Sequence, residues 1–369
     1  MKIGYDAKRF FHNTSGLGNY SRDLVRILSE KYSENQYLLF AKNTSERTKR
    51  LLDKPNILFK KISKGKFSRQ LQMGKDAQVE NCNIFHGLSG ELPLKWGSAP
   101  IKKVVTIHDV IFLKYPQFYS FFDRKIHTWK FKKACNQADL VIAISEQTKK
   151  DIMHYFNTPE EKIRVVYQTC HDAFKKEYTA AELSEVAHKF ALPEEFILNV
   201  GTIEERKNLF SVVKAIKGTN VPLVVVGKET AYTKKIHRFI AQNNMQQQVI
   251  FLKNVGMEEL AKIYQLATVF IYPSLYEGFG IPIIEALFSK TPVITSNLSC
   301  LPEAGGQDSL YVNPKNEADI RAKILHLWEN PSERQRRSEK SFAFVQKFSE
   351  EQIAKDLIKV YHELLAYPN

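Results

Sequence analysis

One pattern governs what this chain can fold into: a short run of apolar, often β-branched residues followed by a helical pattern, repeated from end to end. In the first half the runs are Lys2–Asp6, Tyr37–Ala41, Ile57–Ile62, Ile84–Gly87, Val104–His108, Leu140–Ser145 and Ile163–Tyr167. In the second half they are Phe196–Val200, Leu223–Gly227, Val249–Leu252, Val269–Pro273 and Val293–Ser296. Runs such as Val224-Val225-Val226 show no polar alternation, so both faces of the strand are buried, as in a parallel sheet covered by helices. The alternation runs twice, which predicts an α/β chain of two doubly wound, Rossmann-like domains. The polar stretch His171–Glu195 marks the break, giving domains 1–172 and 173–348. Residues 349–369 read as a helix opened by a Ser349–Gln352 capping box. Its stripe Ile353, Leu357, Val360 and Leu364 has to pack on something.

A length of 369 residues suits two domains of common size. Hydrophobic residues at 43% and charged residues at 25% exclude a disordered chain. No uncharged apolar run reaches the ~18–20 residues of a membrane span. The start, MKIGYDAKRF, enters a strand pattern without a secretory apolar region. Cys82, Cys135, Cys170 and Cys300 lie far apart with no CxxC pair, which fits neither a disulfide framework nor a zinc site. Together these features predict a cytoplasmic protein. The formal charge of +14 sits wholly in the first half: residues 1–170 carry 30 Lys and Arg against 16 Asp and Glu, and the remainder is balanced. Such a field points to a polyanionic partner for that half, or else serves solubility.

Three loops carry the residues for chemistry. Asn13–Tyr20, with Gly16, Leu17 and Gly18, lies between the first strand and a helix. There the backbone can approach a bound group and helix N–H groups can meet an anion. The third glycine of a dinucleotide fingerprint is missing, and an ordinary strand-to-helix turn is the other reading. Gly201–Asn208 follows the first strand of the second half and holds Arg206 and Lys207. An arginine fork and a lysine point charge suit a diphosphate, although a solvated charged loop is common. Pro273–Glu285 follows another buried strand, with Glu277 and Glu285 framing Gly278-Phe279-Gly280 and Ile281-Pro282 opening a helix. Glutamates at a strand-end crevice can accept hydrogen bonds from hydroxyls.

The stretch EGFGIPIIEA resembles the glutamate–seven residues–glutamate motif of the retaining glycosyltransferases of family 4, which have the GT-B fold. GTIEERKNL resembles that family's diphosphate loop, and SGLGNYSRDL its N-terminal glycine-rich loop. IHDVIF, VIAISEQTKKDI and SNLSCLPEAGG recur in equivalent order, and the last helix resembles the family's cross-over helix. The resemblance covers essentially the whole chain. It implies two Rossmann-like domains facing a central cleft, with residues 349–369 returning to the first domain. The substrates implied are a nucleotide-sugar donor, GDP- or UDP-linked, and a glycan or lipid-linked acceptor.

Residue by residue, the resemblance implies that Arg206 and Lys207 hold the donor diphosphate. Glu285 would bond the ribose, and Glu277 would sit by the transferred sugar. Gly201, Gly278, Ile281 and the backbone at Phe279 and Gly280 would line the donor. Gly16, Leu17 and Gly18 would close on the phosphate, and His108 and Asp109 would face the reacting centre. As a plain reading, a His–Asp pair at a strand end is a polar cap. No Asp-x-Asp occurs in the chain, so catalysis without a metal or other cofactor is expected.

The segment Lys114–Lys133 mixes aromatics with basic residues. As a helix it puts Tyr119, Phe122, Ile126 and Trp129 on one stripe beside Arg124, Lys125, Lys130, Lys132 and Lys133. An interfacial helix on anionic lipid has these features, and so does a helix whose stripe is core. Two other functions remain open at this stage. One is a nucleotide-sugar epimerase on a similar scaffold. The other is a basic nucleic-acid-binding protein, which would leave Glu277 and Glu285 without a role, so no nucleic-acid partner is expected.

Overall fold

The computed structural model describes residues 1–65 and 67–366. Contacts divide the chain into two units, Met1–Gln168 with the C-terminal helix, and Thr169–Ser349. In the first unit the strands are β1 (Lys2–Asp6), β2 (Gln36–Ala41), β3 (Ile57–Lys61), β4 (Ile84–Gly87), β5 (Lys102–Ile107), β6 (Leu140–Ala143) and β7 (Ile163–Val165). They form one parallel sheet in the order β3-β2-β1-β4-β5-β6-β7. The second unit holds β8 (Ile197–Val200), β9 (Leu223–Val226), β10 (Val249–Leu252), β11 (Val269–Tyr272), β12 (Val293–Ser296) and β13 (Leu310–Val312). Their order is β10-β9-β8-β11-β12-β13, again parallel. Both sheets reverse direction of winding once, between β1 and β4 and between β8 and β11. At such a reversal the loops leaving the two strands turn to opposite faces and open a crevice at the carboxyl edge.

The central strands are buried on both faces, as their unbroken apolar runs require. β13 was absent from the sequence reading. It is a three-residue edge strand of intermediate burial, too short to carry a pattern. The stretch read as a polar break instead contains a helix, Ala180–Lys189, held by a capping box between Thr179 and Glu182. Val186 is its one fully buried residue, which explains why the sequence reads as polar.

The C-terminal helix Glu350–Ala366 belongs to the first unit. Ile353, Leu357, Val360 and Leu364 join Leu24, Val25 and Leu28 of the helix Gly16–Lys31 in one core cluster. Arg26 ion-pairs with Glu350, and Arg164 of β7 with Glu363. Tyr361 reaches the sheet itself: its hydroxyl is hydrogen-bonded to His86 Nδ1 of β4 at 2.7 Å and to the Tyr5 hydroxyl of β1 at 3.2 Å. His86 Nε2 is bonded to Thr106 Oγ1 at 2.7 Å. Burial pushes the imidazole down to about 3, so it is neutral and serves as a hydrogen-bonded spacer.

Leu357 is 1% exposed, so Leu357→Ala is expected to destabilise the protein by about 2–5 kcal/mol, the range for a buried leucine. Lys359→Ala on the same helix should stay within ~0.5 kcal/mol. Urea denaturation of the two variants checks this; equal stability would show that the helix contributes little to the first unit.

Candidate functional site

In the second unit, the two loops flanking the β8/β11 reversal are tied together. The Leu275 amide donates to the Arg206 carbonyl at 2.8 Å, and Ser274 Oγ to the same carbonyl at 3.1 Å. Asn208 adopts a left-handed conformation, φ 60°, and its buried side-chain amide donates to the carbonyls of Pro273 and Pro314 at 3.2 and 2.7 Å. The loop carrying Arg206 and Lys207 is thereby fixed against the loop carrying Glu277.

Arg206 Nη1 lies 2.6 Å from Glu277 Oε2, and Nη2 lies 2.5 Å from Glu204 Oε1. Nη1 also donates to the Tyr276 carbonyl. Glu277 Oε1 accepts from the Tyr272 hydroxyl at 2.7 Å and from Ser274 Oγ at 3.0 Å. Burial raises the Glu277 carboxyl, but Arg206, Lys207 and these hydrogen bonds outweigh it and hold the group below the usual carboxylate range. It is an oriented carboxylate, not a proton donor.

Lys207 differs from its neighbour. Its ammonium has no carboxylate within ion-pair distance among the described residues. It sits 5.7 Å from the centre of the Tyr272 ring and over Gly201. Gly201 has φ +133°, and a Cβ there would stand 2.6 Å from Nζ. The glycine is what lets the ammonium settle at the strand end. Arg206 gives its terminal nitrogens to two glutamates, so the cation of this crevice without a carboxylate in direct contact is Lys207.

Glu285 lies on the helix Ile281–Phe288, and its Oε2 accepts from the Tyr264 hydroxyl at 3.0 Å. Burial pushes this carboxyl up to about 7, with Tyr264 and Lys207 opposing. Gly278 and Gly280 are buried, Ile281 is half-buried at the helix start, and the Phe279 ring packs on Phe348 at 5.1 Å. Cys300 Sγ donates to the Phe279 carbonyl at 2.9 Å, pinning the turn.

In the first unit, the glycine-rich loop is ordered by Asn13, whose Oδ1 accepts from the Ser15 and Gly18 amides at 2.8 and 3.1 Å. A Cβ on Gly18 would lie 2.0 Å from the Asn13 carbonyl oxygen, so only glycine fits. Gly16 is exposed, and a Cβ added there would meet nothing within 4 Å. His108 Nε2 is 2.8 Å from the Leu88 carbonyl, which can only accept, so Nε2 carries the proton. Nδ1 accepts from the Gln168 amide at 2.9 Å. Burial pulls the imidazole down to about 4, with Arg9 adding to the effect. Both ring nitrogens are thus committed within the unit. Asp109 Oδ1 accepts from the Ile111 amide at 3.0 Å. Leu17, His108 and Asp109 line a cavity of about 160 Å³.

The sequence reading did not anticipate Tyr272, Ser274 and Asn208, which orient the charged groups, nor Tyr264 and Gln168. Tyr272 ends its strand five residues before Glu277, a spacing visible in the chain; Tyr264 and Gln168 are brought in by tertiary packing alone.

Two Rossmann-like domains with a cationic loop and a glutamate-framed turn at the reversal of the second sheet define a GT-B glycosyltransferase. Residues 14–171 match the sequence model of "Glycosyltransferase Family 4", and residues 182–344 match that of "Glycosyl transferases group 1". The chain belongs to the family 4-like GT-B glycosyltransferases, and this sets aside the epimerase and nucleic-acid readings. It is similar to the O-antigen chain mannosyltransferase B of Escherichia coli, 27% identical over 75% of this chain and 74% of that protein. It is 28% identical to the serotype-specific mannosyltransferase WbdA of E. coli over 64% of this chain, but spans only 30% of that longer protein. Among solved structures, Anabaena HepE in complex with UDP superposes with a TM-score of 0.76 at 15% identity, covering 98% of this chain and 100% of that one.

Glu285 yields a prediction whose sign is set by its raised value. A carboxyl raised from 4.5 to about 7 holds its proton more tightly in the folded state. It therefore disfavours folding as pH rises through that window, at ~1.4 kcal/mol per pH unit. Glu285→Gln should match wild type near pH 4.5 and be more stable by about 3 kcal/mol above pH 7. Urea midpoints at pH 5 and pH 8 measure this; a gap independent of pH would contradict it.

Proposed function

We propose that the protein transfers a hexose from a GDP- or UDP-linked sugar to a glycan or lipid-linked acceptor, retaining the anomeric configuration and using no metal ion. The observation that carries the donor assignment is the unpaired Lys207 ammonium at the β8 strand end, beside an arginine already oriented by Glu277. In this reading Lys207 takes the diphosphate, and Arg206, held by Glu277 through Nη1, exchanges the half-exposed Glu204 on Nη2 for the leaving nucleotide and stabilises the charge that develops there. Glu285 accepts from the ribose hydroxyls, and the backbone at Phe279 and Gly280 faces the phosphate or sugar. With two fixed cations serving the leaving group, a divalent ion has no task left. The mannosyltransferase relatives make mannose the first sugar to test, and UDP in the HepE complex keeps the uridine donor in the comparison.

The same reading places the first domain on an anionic membrane surface. The helix Phe121–Gln137 buries only Ala134 and Cys135 fully. Phe122, Ile126 and Trp129 are 76%, 52% and 53% exposed, which overturns the core reading of that stripe. Tyr119, 38% exposed, lines the cavity described above and precedes this helix, so the stripe expected over Lys114–Lys133 is not one continuous helix face. Lys125 and Lys133 lie over the Phe121 and Trp129 rings at 5.5 and 5.7 Å. Exposed aromatics interleaved with lysines, on the half that holds the whole net charge, are complementary to an anionic lipid interface. Lys130 does not belong to that surface, because it pairs with Glu91 at 3.3 Å. No helix among the described residues is long and apolar enough to cross a membrane.

Arg206→Ala should lower turnover by on the order of 10²–10³-fold, the range for one lost charge stabiliser, and EDTA should leave wild-type turnover unchanged. Near-normal turnover in the variant, or loss in EDTA restored by Mg²⁺, would count against the mechanism. For the membrane, replacing Lys125, Lys132 and Lys133 by Gln should weaken binding to anionic vesicles by about 3 kcal/mol, ~1 per charge, more than a hundredfold. Co-sedimentation decides this, and equal binding of variant and wild type would sink the membrane reading.

A further inference from the structure

The reversal of the first sheet, between β1 and β4, holds a second charged crevice, bordered by Leu17 and His108. The short helix Lys8–His12 after β1 supplies Arg9, and the loop after β4 supplies Ser89 and Glu91. Arg9 Nε donates to Ser89 Oγ at 2.9 Å, which fixes the plane of the guanidinium. Its two terminal nitrogens have no protein acceptor, and no carboxylate lies within ion-pair distance of it, among the described residues. Glu91 is unavailable to it: one oxygen takes Arg69 Nη1 at 2.8 Å and the other Lys130 at 3.3 Å. Arg69 is in turn held by Asp6, 2.6 Å away. That closed set of two acids and two bases makes a rigid floor, and the Gly90 amide donating to the Thr106 carbonyl at 2.9 Å fixes the loop to the sheet.

Arg9, Ser89 and Asp109 line the cavity of about 160 Å³ together with Phe112, Tyr119 and Phe131. The Phe112 ring meets Phe131 edge-on at 5.2 Å and Tyr119 at 6.3 Å, giving an aromatic wall. The volume is about half the ~300 Å³ at which pockets for drug-sized ligands begin, so it suits one sugar ring. A half-used, planar, fixed guanidinium is the group that recognises two oxygens of one anion.

We infer that this cavity is the acceptor subsite and that it takes a sugar bearing an oxyanion, a phosphate or a carboxylate, read by the terminal nitrogens of Arg9. The sugar ring lies on the wall formed by Phe112, Tyr119 and Phe131, and Asp109 accepts a hydroxyl. This assignment rests on the glycosyltransferase reading and adds the charge class of the acceptor to it.

The test is binding to the full-length protein by calorimetry, using glucose, glucose 1-phosphate and glucuronate as probes of equal ring size. Wild type is expected to favour at least one charged probe over glucose by on the order of tenfold to a hundredfold, the worth of a charge-assisted hydrogen-bond pair. The arm that binds tells phosphate from carboxylate. Arg9→Gln should abolish the preference, and Arg9→Lys should retain part of it. Ser89→Ala, which frees the guanidinium without removing it, should weaken the preference. Equal binding of all three probes by wild type, absence of binding, or an undiminished preference in Arg9→Gln would overturn the inference. Thermal shifts with UDP and GDP on the same samples separate the two claims. If nucleotide binding is intact in wild type and Arg9→Gln while the preference is missing, the subsite alone fails. If no nucleotide binds wild type, the glycosyltransferase reading fails with it.

Discussion

The arrangement at the β8/β11 reversal depends on one tie, the bond set that joins the Arg206 loop to the Glu277 loop. Parallel strands send their loops away from each other there, and a crevice of fixed shape exists only if something holds the loops in place. Backbone bonds from Leu275 to Arg206, the Asn208 side chain, and the Arg206–Glu277 ion pair do so. A pair this buried is a weak source of net stability, because desolvating two charges offsets their attraction. Its value here is orientation. Glu277 stays ionised and aimed, Arg206 stays against it, and the neighbouring Lys207 is left without a carboxylate in direct contact.

The first domain uses the same topological device with different chemistry. At the β1/β4 reversal the fixed element is the set Asp6, Arg69, Glu91 and Lys130, whose charges cancel. Arg9 stands beside it with charge to spare. Behind the sheet, Tyr361 and His86 bring the C-terminal helix into the hydrogen-bonding of the central strands. Tyr20 continues that line, bonded to Thr106 at 3.3 Å and edge-on to the His108 ring at 4.6 Å. The histidine at the strand end is thus positioned from two helices as well as from Leu88 and Gln168.

Much of this was legible in the chain because parallel sheets demand continuous apolar runs. Every long central strand was read from its sequence, whereas β13, three residues at an edge, carried no pattern. The helix 180–189 was hidden for the opposite reason: it buries a single residue fully and looks like a linker. The loops with Gly201, Arg206, Lys207, Glu277 and Glu285 stood out because glycines and charges follow buried strands directly. What could not be read is the partnering of these groups. That Glu204 and Glu277 consume Arg206, that His108 spends both nitrogens, and that Lys130 turns inward to Glu91 are tertiary facts. The aromatic stripe of the helix 121–137 is the sharpest case, since period alone cannot say which face meets the core.

The central claim is that the second domain binds a nucleoside diphosphate through the Lys207 ammonium. The most direct measurement is a thermal-shift series on the full-length protein with UDP, GDP and ADP, for wild type and Lys207→Ala, in EDTA. A ligand that binds only the folded state at about 100 times its Kd adds ~2.7 kcal/mol, enough to move the midpoint by several degrees. One base is expected to raise the wild-type midpoint clearly above the other two, with the rise lost in Lys207→Ala. No rise with any of the three, or an equal rise in wild type and variant, would contradict the account.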